Sequence, residues 1–192
     1  MVFKRFLAGE GPLRKLFEER MRKGPILKKL REQFFKAVSK VYDAKRFDVS
    51  LLDDIKASMG LVVIISPFLS NLKVEEFINS REVKEALGKD VRIVVVTRPP
   101  DPKEVEKKDE HEKCIENLEK KGIKVAMEPK LHFKAAIIDH EIIYLGSINP
   151  LSTITIKYVP PDYMVRFESE ALVDEIVENA IGKDVYEKWI TQ

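Results

Sequence analysis

The side chains best suited to chemistry in this sequence lie in one stretch, residues 132–149, which reads HFKAAIIDHEIIYLGSIN. His132 and Lys134 are two apart, so on an extended chain they project to the same face. The apolar run that follows, 135–138, suits a strand covered on both sides. Asp139 and His140 break it, and 141–145 predicts a second short strand ending at Gly146. Beyond the glycine, Ser147 and Asn149 again share a parity. An imidazole, an ammonium, a hydroxyl and an amide can thus converge at the ends of two neighbouring strands. Together they make a nucleophile or base, a fixed cation and two neutral hydrogen-bonding groups, a set that suits a phosphate.

The elements that must hold this group read as an α/β fold. Apolar strands are predicted at 61–65, 91–96 and 123–127, with a further strand at 163–167. Helices are predicted at 50–59 with Ser50 as N-cap, 73–87 closed by Gly88, 103–121 closed by Gly122, 170–181 and 183–190. Strands with fully apolar cores alternating with helices imply a mixed β-sheet, part of it parallel, with helices on both faces. In such sheets ligands sit beyond the carboxyl ends of the strands. Ser66 and Arg98 follow strand ends, which makes them candidate phosphate or sugar contacts; the alternatives are a capping serine and an arginine paired with a surface acid.

Residues 1–47 differ from the rest. Lys and Arg outnumber Asp and Glu by roughly three to one there, and Gly11-Pro12 and Gly24-Pro25 punctuate two expected helices, 12–23 and 25–44. The segment reads either as a basic arm meeting a nucleic-acid backbone or as a solvated helical extension packed on the domain or a second subunit. The expected division is therefore a basic helical N-terminal extension, 1–47, and a catalytic domain, 48–192.

The spacing His-x-Lys, four residues, Asp, six residues, Gly-Ser-x-Asn resembles the HKD signature of the phospholipase D superfamily. His132, Lys134, Asp139, Gly146, Ser147 and Asn149 fill its positions. The looser likeness over about 48–182 is to phospholipase D-like nuclease modules that occur alone or joined to DNA helicases. It implies a metal-independent phosphodiesterase, a nuclease on DNA or RNA with DNA favoured, and no cofactor. It further implies that two copies of the signature build one site. With a single copy in this chain, that means a homodimer in which one His132 forms a covalent phosphohistidine and its mate serves the leaving group. A helicase or ATPase is a candidate partner. Lys134, Ser147 and Asn149 would hold the nonbridging oxygens. Asp139, one residue past its strand, reads as structural. The family's glutamate before the strand after Gly-Ser-x-Asn is replaced by Asp162, one methylene shorter, with Glu168 at the other end of that strand. Such a carboxylate fixes the tautomer of the imidazole and stabilises its charged form. Arg166 shares the parity of Asp162 and either binds phosphate or pairs with it.

Other classes fit less well. A net charge of +2 does not describe a polycation, and no apolar run reaches membrane-spanning length, so a cytoplasmic protein without membrane contact is expected. The single cysteine, Cys114, excludes an intrachain disulfide. Abundant Lys, Arg and Glu lean towards a thermophile source. His111 and Cys114 are three apart on a helix, but no second pair follows at finger-like spacing, so no metal site is expected. His140 reads as a turn residue, and Tyr144 and Trp189 as core aromatics. Two further readings stay in play: a nucleic-acid-binding module of a repair complex that keeps the fold with little catalysis, and a phospholipid phosphodiesterase.

Overall fold

The computed structural model describes residues 39–152 and 162–191. The expected helix 12–23, most of the helix 25–44 and most of the loop 150–162 lie outside them. The compact unit that carries the signature begins at Lys40.

Seven strands form one mixed sheet: β1 (Ser39–Asp43), β2 (Leu61–Ile65), β3 (Arg92–Thr97), β4 (Lys124–Met127), β5 (Ala135–Ile138), β6 (Ile142–Gly146) and β7 (Tyr163–Glu168). Their order is β1-β7-β6-β5-β2-β3-β4. β2, β3 and β4 are parallel, while β5 runs antiparallel to β2, β6 to β5 and β7 to β6. The central strands are apolar because helices cover both faces. On one face lie α1 (Ala44–Ala57), α2 (Asn71–Asn79), α3 (Arg81–Leu87) and α4 (Lys108–Lys120), which bury Phe47, Ile55, Val74, Ala86 and Leu118 against Val62, Ile64 and Ile93. On the other, α5 (Glu170–Ile176), a π-helical turn (Val177–Ile181) and α6 (Lys183–Thr191) bring Val173, Val177, Tyr186 and Trp189 onto Val63, Ile65 and Ile137.

The strand and helix boundaries depart from expectation in three places. Residues 39–43 are an edge strand rather than the end of a helix, and the next helix starts at Ala44, capped by the Asp43 carboxylate, which accepts from the Arg46 N–H at 2.9 Å. Ser50 is therefore inside α1, where its hydroxyl pairs with that of Tyr144 at 2.8 Å. The expected helix 73–87 is two helices, because Ser80 takes extended backbone and its hydroxyl accepts from the Val83 N–H. The expected helix 103–121 begins only at Lys108, after turns fastened by Asp101.

The sheet topology collects chain ends. The C-terminal ends of β2, β3, β4 and β6 and the N-terminal ends of β5 and β7 share one edge of the sheet. His132, Lys134, Ser147, Asp162, Ser66 and Arg98 all flank strands at that edge.

Candidate active site

β5 begins at Ala135, so residues 131–134 enter it as extended chain. The Lys134 ammonium folds back to donate to the His132 carbonyl at 3.0 Å and stands 3.5 Å from His132 Nδ1. The imidazole is exposed and the lysine half-buried. Burial depresses the proton affinity of Lys134, the positive charge of Arg98 depresses it further, and the Asp162 carboxylate opposes both; the net direction is down. Both Arg98 and Asp162 are thus electrostatic neighbours of the ammonium.

β6 ends at Gly146, where a side chain has no room: a Cβ there would stand 2.1 Å from the Tyr163 carbonyl oxygen and 2.9 Å from Met164 Cα. This close approach lets Ser147 clamp the start of β7. Its N–H donates to the Tyr163 carbonyl at 3.0 Å and its Oγ accepts from the Tyr163 N–H at 3.1 Å. Asp162 is bonded to that clamped residue, so the serine fixes the base of the carboxylate's chain while retaining its own O–H to donate. Two residues on, Asn149 is buried, and its Oδ1 has no hydrogen-bond partner among the described residues.

The other expected contacts separate into three fates. Ser66 is fully buried; its hydroxyl donates to the Phe68 carbonyl at 2.8 Å and accepts from the Leu151 N–H at 3.1 Å. These bonds tie the segment after Asn149 to the end of β2 and leave the hydroxyl engaged on both sides. Arg98 remains at the site but is held in place: Nε donates to the Leu131 carbonyl at 2.7 Å, Nη1 to the Glu104 carbonyl at 3.0 Å, and the guanidinium lies 4.7 Å from the Phe68 ring centre. Arg166 leaves the site. It is buried on the α1 face, gives Asp54 two hydrogen bonds at 2.7 and 3.0 Å, and bonds Glu168 as well. The Asp54 carboxylate raises its proton affinity above that of an ordinary arginine. Its carboxylate partners are Asp54 and Glu168 rather than Asp162, and Glu168 lies at the opposite end of β7 from Asp162.

Asp139 also sits at the opposite edge of the sheet, past the end of β5. It and His140 both have positive φ, 50° and 61°, in the turn between β5 and β6. Its carboxylate accepts from the Ser58 hydroxyl and from the N–H groups of Met59, Gly60 and Leu61, all at 2.8–2.9 Å. Burial alone would raise its pKa, but these four donors together hold it below the usual carboxylate value. The residue joins the signature hairpin to the start of β2, away from the reacting groups. The signal for Asp54 as the partner of Arg166 was absent from the sequence, since the two are far apart in the chain.

His111 is buried, with Nε2 2.9 Å from the Arg98 carbonyl and 3.2 Å from Thr97 Oγ1, and burial lowers its pKa. Cys114 donates to Asn71 Oδ1, and burial pushes its thiol up to about 11. Among the described residues no cluster of three or more His, Cys, Asp or Glu side chains is arranged to hold a metal ion, and no helix is long and apolar enough to cross a membrane.

The family model described as "Cardiolipin synthase, PLD-like domain" matches residues 51–181. Among solved structures, Nuc from Salmonella typhimurium, a phospholipase D family member, aligns with a TM-score of 0.57 at 14% identity, over 78% of this chain and 93% of that one. NucT from Helicobacter pylori aligns with a TM-score of 0.56 at 16% identity, over 79% and 94%. Polyphosphate kinase from Porphyromonas gingivalis gives 0.55 at 12% identity, over 90% of this chain but 28% of its own. No curated protein sequence matches the chain.

Proposed function

The chain belongs to the phospholipase D-like domain family, and from that membership we propose that it is a metal-independent nuclease, with DNA favoured over RNA, working as a homodimer through a phosphohistidine. The observation that carries the reading is the meeting of an exposed imidazole, a half-buried ammonium, a clamped serine and a carboxylate at one edge of the sheet. A ring nitrogen of His132 attacks phosphorus, and the bond to the leaving oxygen breaks as the partner's His132 gives it a proton. Water then attacks the phosphohistidine; the same partner imidazole takes its proton, and the P–N bond breaks. Lys134, Asn149 and the Ser147 hydroxyl neutralise or bind the nonbridging oxygens, and Asp162 steadies the charged imidazole. Two displacements need two imidazoles, and each chain carries one His-x-Lys. The basic residues that precede the compact unit add positive charge that can meet a nucleic-acid backbone.

Labelled single- and double-stranded DNA and RNA incubated in excess EDTA, with His132→Ala alongside, test the reading. Cleavage persists in EDTA and falls by at least about a thousandfold in the variant, the loss expected when a covalent nucleophile is removed. Cleavage abolished by EDTA, or equal in both proteins, would sink it. DNA retained in a gel without any cleavage would favour a binding module of a repair complex, and phospholipid turnover alone a lipid phosphodiesterase.

A further inference from the structure

Next to the site, between the C-terminal ends of β2 and β3 and the start of α4, lies an open groove of about 760 Å³ whose wall includes Phe68, Arg98, Lys103 and Lys107. Its size is that of a small-ligand site rather than of an extended interface. We propose that this groove takes one unpaired nucleotide adjoining the scissile phosphate, its base stacked on the Phe68–Arg98 pair. The inference rests on the nuclease reading above and adds to it a preference for single-stranded substrate.

The groove is continuous with the reacting groups through Arg98. The same guanidinium that lines it holds the carbonyl of Leu131, the residue before His132, and its charge is felt at Lys134. The groove thus adjoins the segment that carries His132, and a nucleotide lying here can neighbour a phosphate held there. Arg98 also offers a fixed plane. Two backbone carbonyls hold it over the half-buried Phe68 ring, so little side-chain freedom remains to be lost when a base stacks. Aromatic rings and guanidinium planes bind any base through its π-face, without sequence preference.

The charges of the groove distinguish a base from a run of backbone. Exposed Lys103 can meet one phosphate at the rim, while Lys107 is ion-paired with Glu110 at 3.3 Å and Glu104 lies 4.0 Å from Arg98 and accepts from the Lys130 N–H, so two carboxylates stand in the wall of the groove. Carboxylates repel a continuous phosphate chain but tolerate the edge of a base, whose amino groups donate to them. A base that enters such a groove has left its pair, so a duplex must open before it can occupy the site.

The test compares kcat/KM for a single-stranded oligonucleotide with that for bis(p-nitrophenyl) phosphate, a diester with no base, in wild type, Phe68→Ala and Lys103→Glu. The ratio of oligonucleotide to small diester falls at least about tenfold in Phe68→Ala, the loss expected for one stacked base. It falls several-fold in Lys103→Glu, an exposed position whose replacement leaves the core untouched. A ratio unchanged in both variants overturns the inference, as does an equal fall on both substrates, which would mark Phe68 as a support of Arg98 alone. A wild type that turns over the small diester but cuts no oligonucleotide overturns the nuclease reading, and this inference with it.

Discussion

Lys134 is where the environment of a single residue becomes a measurable property of the reaction. Burial and the Arg98 charge both favour its neutral form, and Asp162 favours the charged form. If the ammonium must be charged to hold a phosphate oxygen, activity falls on the alkaline side as Lys134 loses its proton, at a lower pH than for a free lysine. Removing the Asp162 charge takes away an influence that raises this pKa. In Asp162→Asn the alkaline limb of the kcat/KM profile therefore moves to lower pH, and turnover at neutral pH falls about a hundredfold as the imidazole loses its carboxylate. An alkaline limb that stays in place would mean that Lys134 is not the group titrating. That His132, Lys134 and Ser147 flank strands at one edge of the sheet was readable from spacing, because they lie in one hairpin. The partner of Arg166 was not. Its position on β7 admitted either a phosphate or Asp162, and the choice fell to Asp54, on a helix more than a hundred residues earlier. Ser66 was equally opaque: what it fastens, Leu151, comes near only when the sheet is assembled.

At the scale of elements, the site depends on how closely β6 and β7 approach. Gly146 permits a contact that no other residue allows, since a Cβ there would overlap the Tyr163 carbonyl. Gly146→Ala must push the strands apart at the point where Ser147 holds Tyr163. The expected cost is about 2–3 kcal/mol of stability, with a loss of turnover among the molecules still folded because Asp162 moves with Tyr163. Urea unfolding and kcat/KM on one preparation check this; a stable variant with full turnover would show that the clamp has no part in the reaction. The strands were legible for a related reason. Runs such as 61–65 and 135–138 are apolar throughout, and only a strand covered on both faces buries every residue. The edge strand Ser39–Asp43 lacked that signal: it is short and half polar, Tyr42 packs on the core while Lys40, Val41 and Asp43 are exposed, and it follows a helical pattern. The break at Ser80 left a faint trace: at about 100° per residue Val83 and Ala86 fall on roughly the opposite side of a continuous helix from Val74, Phe77 and Ile78, so the shift of phase, not the mere recurrence of apolar residues, marks where the backbone turns.

On the scale of the whole molecule, one His-x-Lys per chain makes oligomeric state part of the catalytic argument. A composite site about a two-fold axis has one imidazole to attack and one to protonate, drawn from different subunits. An oligonucleotide has a poor leaving group, so a dimer with a single intact His132 lacks the acid it needs. When wild type and His132→Ala are mixed and allowed to exchange subunits, only dimers with two wild-type chains remain active. Activity then follows the square of the wild-type fraction: an equal mixture retains about a quarter of the activity rather than about half. A site complete within each chain would instead give a linear decline. The substrate sharpens the distinction. p-Nitrophenolate leaves without a proton, so with bis(p-nitrophenyl) phosphate the mixed dimers can still form the phosphohistidine, and a burst of one product per wild-type chain should survive in them. Linear decline with the oligonucleotide would return both chemical roles to one imidazole and remove the reason for a dimer. The squared dependence, joined to a surviving burst, would assign nucleophile and acid to separate chains.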